Sequence, residues 1–196
     1  MIWTVVLVAV GSPVAIAAQS PLLEWRDAVY IIGGFAGIVA LSLMLLQPLL
    51  VIGDVPLLSG RRGRRAHVFL GLAITGLIGV HVVGLWVTSP PDIVDALLFR
   101  SPTPFSAWGV IAMWAIFASV VLAGLRFRLR PRSFRLAHSG LVVVIVAGSV
   151  LHAVQIHGTM GTISKGALCG LIGLAVARAL AGRKVWKLVF RVGSAR

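Results

Sequence analysis

The chain has 196 residues, of which 59% are hydrophobic and 12% charged, with a mean hydropathy of +1.02 and a net charge of +13. An ordinary soluble domain is about 25% charged, so this composition excludes a disordered chain and a soluble enzyme: there is more apolar surface than a molecule of this size can hide from water. The excess of 18 Lys and Arg over 5 Asp and Glu fits either a nucleic-acid surface or the cytoplasmic bias of a membrane protein, and its distribution along the chain decides between them.

A membrane span needs about 20 mostly apolar residues, because the hydrocarbon core is about 30 Å thick and a helix rises about 1.5 Å per residue. Six segments meet or approach this length. The first, Ile2–Ala18, is short, contains Pro13 and ends in Ala15-Ile16-Ala17-Ala18-Gln19, which is similar to a signal-peptidase site. It lacks the basic leader of a signal peptide, so the reading is a retained helix, with cleavage the alternative. The others follow as Ala28–Ile52, Ala66–Thr88, Phe105–Leu125, Phe134–Ile156 and Thr159–Leu180. Their connections hold the polar residues and most prolines, among them Pro21, Pro56, Pro90, Pro91, Pro102 and Pro131. Lipid offers backbone groups no hydrogen-bond partners, so all six are read as helices. The expected fold is an all-α membrane protein, one six-transmembrane-helix bundle over residues 1–196.

Charge orients the bundle. Arg61, Arg62, Arg64 and Arg65 follow the second span, and Arg126, Arg128, Arg130, Arg132 and Arg135 follow the fourth. Arg178, Arg183, Lys184, Lys187, Arg191 and Arg196 close the chain. The intervening connections are assigned only Arg26, Arg100 and Lys165, together with Glu24, Asp27, Asp92 and Asp95. Basic loops stay cytoplasmic, so 15 of the 18 basic residues fall inside, as do both termini if the first helix is kept. The third and fifth spans then run parallel, from the cytoplasm outward. A nucleic-acid surface is not needed to explain the charge. Trp25, Trp86, Trp108 and Trp186 fall near span ends, where an interfacial aromatic belt is expected.

Five histidines occur: His67 and His81 on the third span, His138 and His152 on the fifth, and His157 just beyond. In each pair the second follows the first by fourteen residues. Fourteen helical steps return to within about 40° of the starting direction and climb about 21 Å. Each pair therefore shares one helix face, and His67 matches His138 in depth as His81 matches His152. One imidazole on either side of a flat cofactor suits haem, whose iron takes two axial histidines. Zinc needs about four ligands around one ion, which pairs at separate depths do not supply. His157 lies about 140° from His152 and reads as an exposed loop residue or a polar group at an outer cofactor edge.

Glycines on the two spans (Gly71, Gly76, Gly79 and Gly84; Gly140 and Gly148) admit either close cofactor approach or tight helix packing. Met113, Met160 and the single Cys169 read as packing or lipid-facing residues, and one cysteine leaves no disulfide framework. Arg178 is placed to snorkel, or to meet a haem propionate. No internal repeat is evident.

The run Arg61-Arg62-Gly63-Arg64-Arg65-Ala66-His67, with His81 beyond it, resembles the first haem helix of the ferric-reductase-like transmembrane domain. Phe134-Arg135-Leu136-Ala137-His138, followed by His152, is similar to its second. The resemblance covers about Ala28 to Leu180 and spans ferric reductases, the membrane halves of NADPH oxidases and the haem subunit of a periplasmic methionine-sulfoxide reductase system. It implies an inner b-type haem on His67 and His138, an outer one on His81 and His152, and electrons passing from a cytoplasmic donor to an outer acceptor. Haem number (two by this pairing, or one) and the acceptor stay open.

Unlike the reductases and oxidases, the chain carries no Gly-rich dinucleotide fingerprint after a strand. The expectation is an electron-transfer component of a bacterial inner membrane that needs a separate flavoprotein, ferredoxin-like or quinol donor. The alternatives are a haem-containing anchor of a quinone-linked dehydrogenase and a haem-free transporter or scaffold.

Overall fold

The computed structural model describes residues 2–182; the tail with Arg183, Lys184, Trp186, Lys187, Arg191 and Arg196 lies outside the described residues. Among the described residues eight α-helices follow one another: α1 (Ile2–Ala18), α2 (Ala28–Met44), α3 (Leu46–Ile52), α4 (Gly60–Thr88), α5 (Pro90–Leu97), α6 (Pro104–Gly124), α7 (Pro131–Gln155) and α8 (Thr162–Gly182). The described residues contain no strand.

Helix ends follow local chemistry. Pro90, Pro104 and Pro131 open α5, α6 and α7, where the missing N–H would have had no helical partner. Asp27 caps α2 by accepting the Val29 N–H at 2.7 Å. Gly53 ends α3 in the left-handed region, at φ 82°, which glycine adopts without a steric penalty.

Five units are long and apolar enough to cross a membrane: residues 28–52 taken together, α4, α6, α7 and α8. α1 is an apolar helix of shorter reach, packed on α2 and α8. Exposed Phe69, Val83, Val121 and Leu174 lie on the outer faces of these helices, where lipid rather than water is the solvent that suits them. Trp25, Trp86 and Trp108 are exposed near helix ends.

Most span ends fall within three residues of expectation, and three features depart further. The second span breaks at Leu45 into α2 and α3, because Pro48 supplies no N–H to the Met44 carbonyl and its ring crowds that turn. α4 starts at Gly60, six residues before the expected Ala66, and runs for 29 residues. That is about 43 Å, longer than the hydrocarbon core, so its arginine-bearing first turns project past the apolar layer. The connection after α4 folds into α5, which begins with Pro90 and Pro91 and has Asp92 in its first turn.

Lys165 is corrected outright. It lies inside α8 rather than in a connection, is only 6% exposed, and donates from Nζ to the Ile156 carbonyl at 2.5 Å. A cation at the carbonyl end of α7 complements the helix dipole there, which accounts for its burial.

Two helix pairs dominate the packing, α2 with α4 and α6 with α7. Both crossings are close because glycine sits in them. A β-carbon on Gly84 would lie 3.0 Å from the Gly33 Cα, and one on Gly148 would lie 2.9 Å from the Trp108 carbonyl oxygen. α8 closes the bundle against α7 and α3, and its Leu168, Cys169 and Ile172 form a core with Leu41, Met44, Leu45 and Ala153. Met113 and Cys169 are buried packing residues, and Met160 packs against that core. Arg178 pairs with Asp54, and this contact puts the end of α8 beside the α3–α4 connection.

A paired-histidine seam between two helices

α4 and α7 each project two histidines toward the other. The rings of His67 and His138 have centroids 6.2 Å apart, and those of His81 and His152 are 6.5 Å apart. The parallel course and equal depths expected for these helices are therefore observed. His157 lies past the end of α7 and is exposed.

The separations admit a metal between the rings. Iron or a similar ion bound at about 2.0–2.1 Å from one nitrogen of each imidazole sets the centroids about 6.3 Å apart. Both observed distances fall within a few tenths of an ångström of that figure. The ring planes in each pair are steeply inclined, at 75° and 80°.

Every one of the four rings is anchored through Nδ1. His81 donates to the Gly33 carbonyl and His152 to the Phe105 carbonyl, each at 2.8 Å. His67 Nδ1 faces the Gln47 carbonyl at 3.3 Å, and His138 Nδ1 faces the Ser119 hydroxyl at 3.2 Å. A carbonyl only accepts, so Nδ1 bears the proton in the first three and Nε2 carries the lone pair. Metal-binding histidines characteristically have this outer hydrogen bond, which fixes the tautomer and raises ligand basicity.

The carbonyl partners explain two glycines that sequence reasoning passed over. Four residues beyond Gly33 stands Gly37, where a β-carbon would lie 2.8 Å from His81 Nδ1. Four residues beyond Phe105 stands Gly109, where it would lie 2.7 Å from His152 Nδ1. Each ring thus lies across a helix groove that only glycine leaves open. Of the glycines singled out from the sequence, Gly84 and Gly148 serve helix packing instead. Gly76, Gly79 and Gly140 have nothing within 4 Å of a β-carbon, and at Gly71 the nearest atom is Gln47 Nε2 at 3.4 Å.

Aromatic rings flank the second histidine helix. Phe134 stacks on His138 at 5.6 Å and 14°, and Phe105 meets His152 edge-on at 5.8 Å.

The arrangement is also a repeat. Gly33, Gly37 and Gln47 become Phe105, Gly109 and Ser119 after 72 residues, and His67 and His81 become His138 and His152 after 71. Arg61-x-x-Arg64-x-Ala66-His67 recurs as Arg132-x-x-Arg135-x-Ala137-His138. This overturns the expectation that no internal repeat exists.

An apolar groove and a second, mixed one lie elsewhere. One, of about 390 Å³, runs between α1 and α8 and is lined by Val5, Val8, Pro13, Leu168 and Leu171 among others. The other lies beside Ile16, Pro21 and Thr159. Neither includes a histidine.

Residues 3–149 match the family described as ferric reductase like transmembrane component. The matched stretch takes in α1 through most of α7, with His67, His81 and His138, and stops three residues before His152. No curated protein and no solved structure matches the chain.

Proposed function

The chain belongs to the ferric-reductase-like transmembrane family, and on that premise we propose that it carries electrons across a membrane through two b-type haems. His67 and His138 hold one, on the arginine-rich side, and His81 and His152 hold the other. The single observation that carries this reading is the pair of matched ring separations, 6.2 and 6.5 Å, which suit one iron between each pair.

Bound haem would supply a one-electron carrier, and His67, His138, His81 and His152 would hold it. The protein's own residues do the rest. Gly33, Phe105 and Gln47 carbonyls hold the imidazoles in the tautomer that presents Nε2. Gly37 and Gly109 make room for the outer rings. The helices around the seam keep water from the path, as a low-dielectric environment for electron transfer requires.

In this reading α1 is the sixth span, the arginine-bearing ends of α4 and α7 face the cytoplasm, and the membrane is a bacterial inner membrane. A flavoprotein, a ferredoxin-like protein or a quinol delivers electrons at that end. The exposed arginines there present a positive surface, which favours encounter with an acidic donor. The acceptor is on the opposite side.

Purified protein from haem-supplied cells tests the proposal. A pyridine-haemochrome assay is expected to give a b-type spectrum with two haems per chain. A colourless, folded preparation would overturn it and favour a transporter or scaffold.

A further inference from the structure

We infer that Ser119 is a positioning residue that gives His138 a side-chain anchor where the other three histidines have carbonyls and, by accepting its Nδ1–H, lowers the potential of the inner haem site; this rests on the haem reading above. At equivalent places in the two halves, α3 offers His67 a backbone carbonyl, that of Gln47, and α6 offers His138 the hydroxyl of Ser119. Three ring anchors are carbonyls, fixed by their helices and able only to accept. The fourth is a side chain that rotates, accepts and donates.

That difference has a chemical consequence. A histidine whose Nδ1–H is held by a strong acceptor becomes more basic at Nε2 and stabilises the oxidised metal more. The His81 and His152 bonds are 2.8 Å long, whereas the two inner contacts, Gln47 to His67 and Ser119 to His138, are 3.3 and 3.2 Å; what distinguishes His138 is that its partner is a hydroxyl. His138 is consequently the less strongly polarised ligand of the second helix, and its ring orientation is set from two sides. Phe134 stacks on one face and Ser119 holds the edge. Axial-ligand hydrogen bonding is one of the levers by which a protein sets haem potential.

A serine between two helices could equally serve packing alone, so the test reads the metal. Redox titration of the wild type is expected to resolve two haems. In Ser119→Ala, loss of the acceptor lowers His138 basicity, and one potential moves positive while the other stays in place. Ser119→Thr keeps the hydroxyl and restores the wild-type value. Should Ser119→Ala lose haem altogether, Ser119→Cys, a weaker acceptor of similar volume, reads the same positive shift in an intact bundle. Two unmoved potentials in Ser119→Ala overturn the inference, as does an equal shift in Ser119→Thr and Ser119→Ala, which assigns the effect to packing. A haem-free wild type sinks the haem reading and this inference together, whereas a two-haem protein with unmoved potentials sinks this inference alone.

Discussion

The ring of His152 lies where Gly109 leaves a gap: a β-carbon on Gly109 would stand 2.7 Å from His152 Nδ1, closer than real carbon contacts allow. Gly37 stands the same way to His81, at 2.8 Å. The neighbour on the other side of each collision is an imidazole already bonded to a helix carbonyl, so it cannot retreat without losing that bond.

Replacing Gly109 by Val is therefore expected to displace His152 and empty the outer site. Overpacking a fitted contact costs about 1–3 kcal/mol, enough to reduce occupancy about fivefold to more than a hundredfold. The haem content measured by pyridine haemochrome should fall from two per chain toward one. Retention of both haems in Gly109→Val and in Gly37→Val would show that the rings do not sit in these grooves.

The pairing of histidines across the seam makes a separate prediction about additivity. His67→Ala and His138→Ala are each expected to remove one haem, and the double variant to remove no more, because the two side chains serve one site. His67→Ala combined with His81→Ala should remove both. Full haem content in that second double variant would reject the ligand assignment.

Orientation can be read with an impermeant thiol reagent, since Cys169 is buried and easily replaced. Cysteines placed at the exposed positions Asp95 and Arg62 lie at opposite ends of the bundle. Intact spheroplasts are expected to label position 95 and to leave position 62 unlabelled until lysed. The reverse pattern would invert the proposed direction of electron flow.

Stability should depend on the helix crossings far more than on charge. Gly84→Leu drives a side chain into the Gly33 backbone and is expected to cost about 1–3 kcal/mol or more. Asp54→Asn removes the partner of an Arg178 side chain that is 68% exposed, and exposed pairs contribute only about 0–1 kcal/mol. Thermal unfolding in detergent should show a clear drop for the first variant and a small one for the second. A larger drop for Asp54→Asn would contradict this ranking.

Much of the seam was legible in the residues. The spans are visible because apolar runs of membrane length leave few alternatives, and the two His pairs because fourteen residues bring a helix nearly back to the same face. Some misses had signals. Pro48 marks the break between α2 and α3, and Pro90-Pro91-Asp92 marks the start of α5. The Arg-x-x-Arg-x-Ala-His run stands twice in the chain, and the repeat follows from it once the two histidine helices are aligned. Other misses had none that reads by itself. Gly37 and Gly109 are two of 22 glycines, and their correspondence at 72 residues has meaning only once the helices they belong to are known to flank the histidine rings.

The surplus of positive charge and the apolar content thus have one explanation. Length and hydropathy determined a membrane bundle, and the placement of arginine supports the proposed direction of its helices, because insertion energetics act segment by segment and can be read segment by segment. Helical period determined which histidines share a face. Only the tertiary structure decided what holds those histidines. The carbonyls of Gly33, Gln47 and Phe105 and the hydroxyl of Ser119 lie 19 to 48 residues from the rings they anchor. Every helix has carbonyls at every residue, so which of them meets an imidazole depends on how closely two helices cross. That closeness was set by Gly33 against Gly84 and by Gly148 against Trp108 and Ala112, contacts that exist only once the bundle has packed.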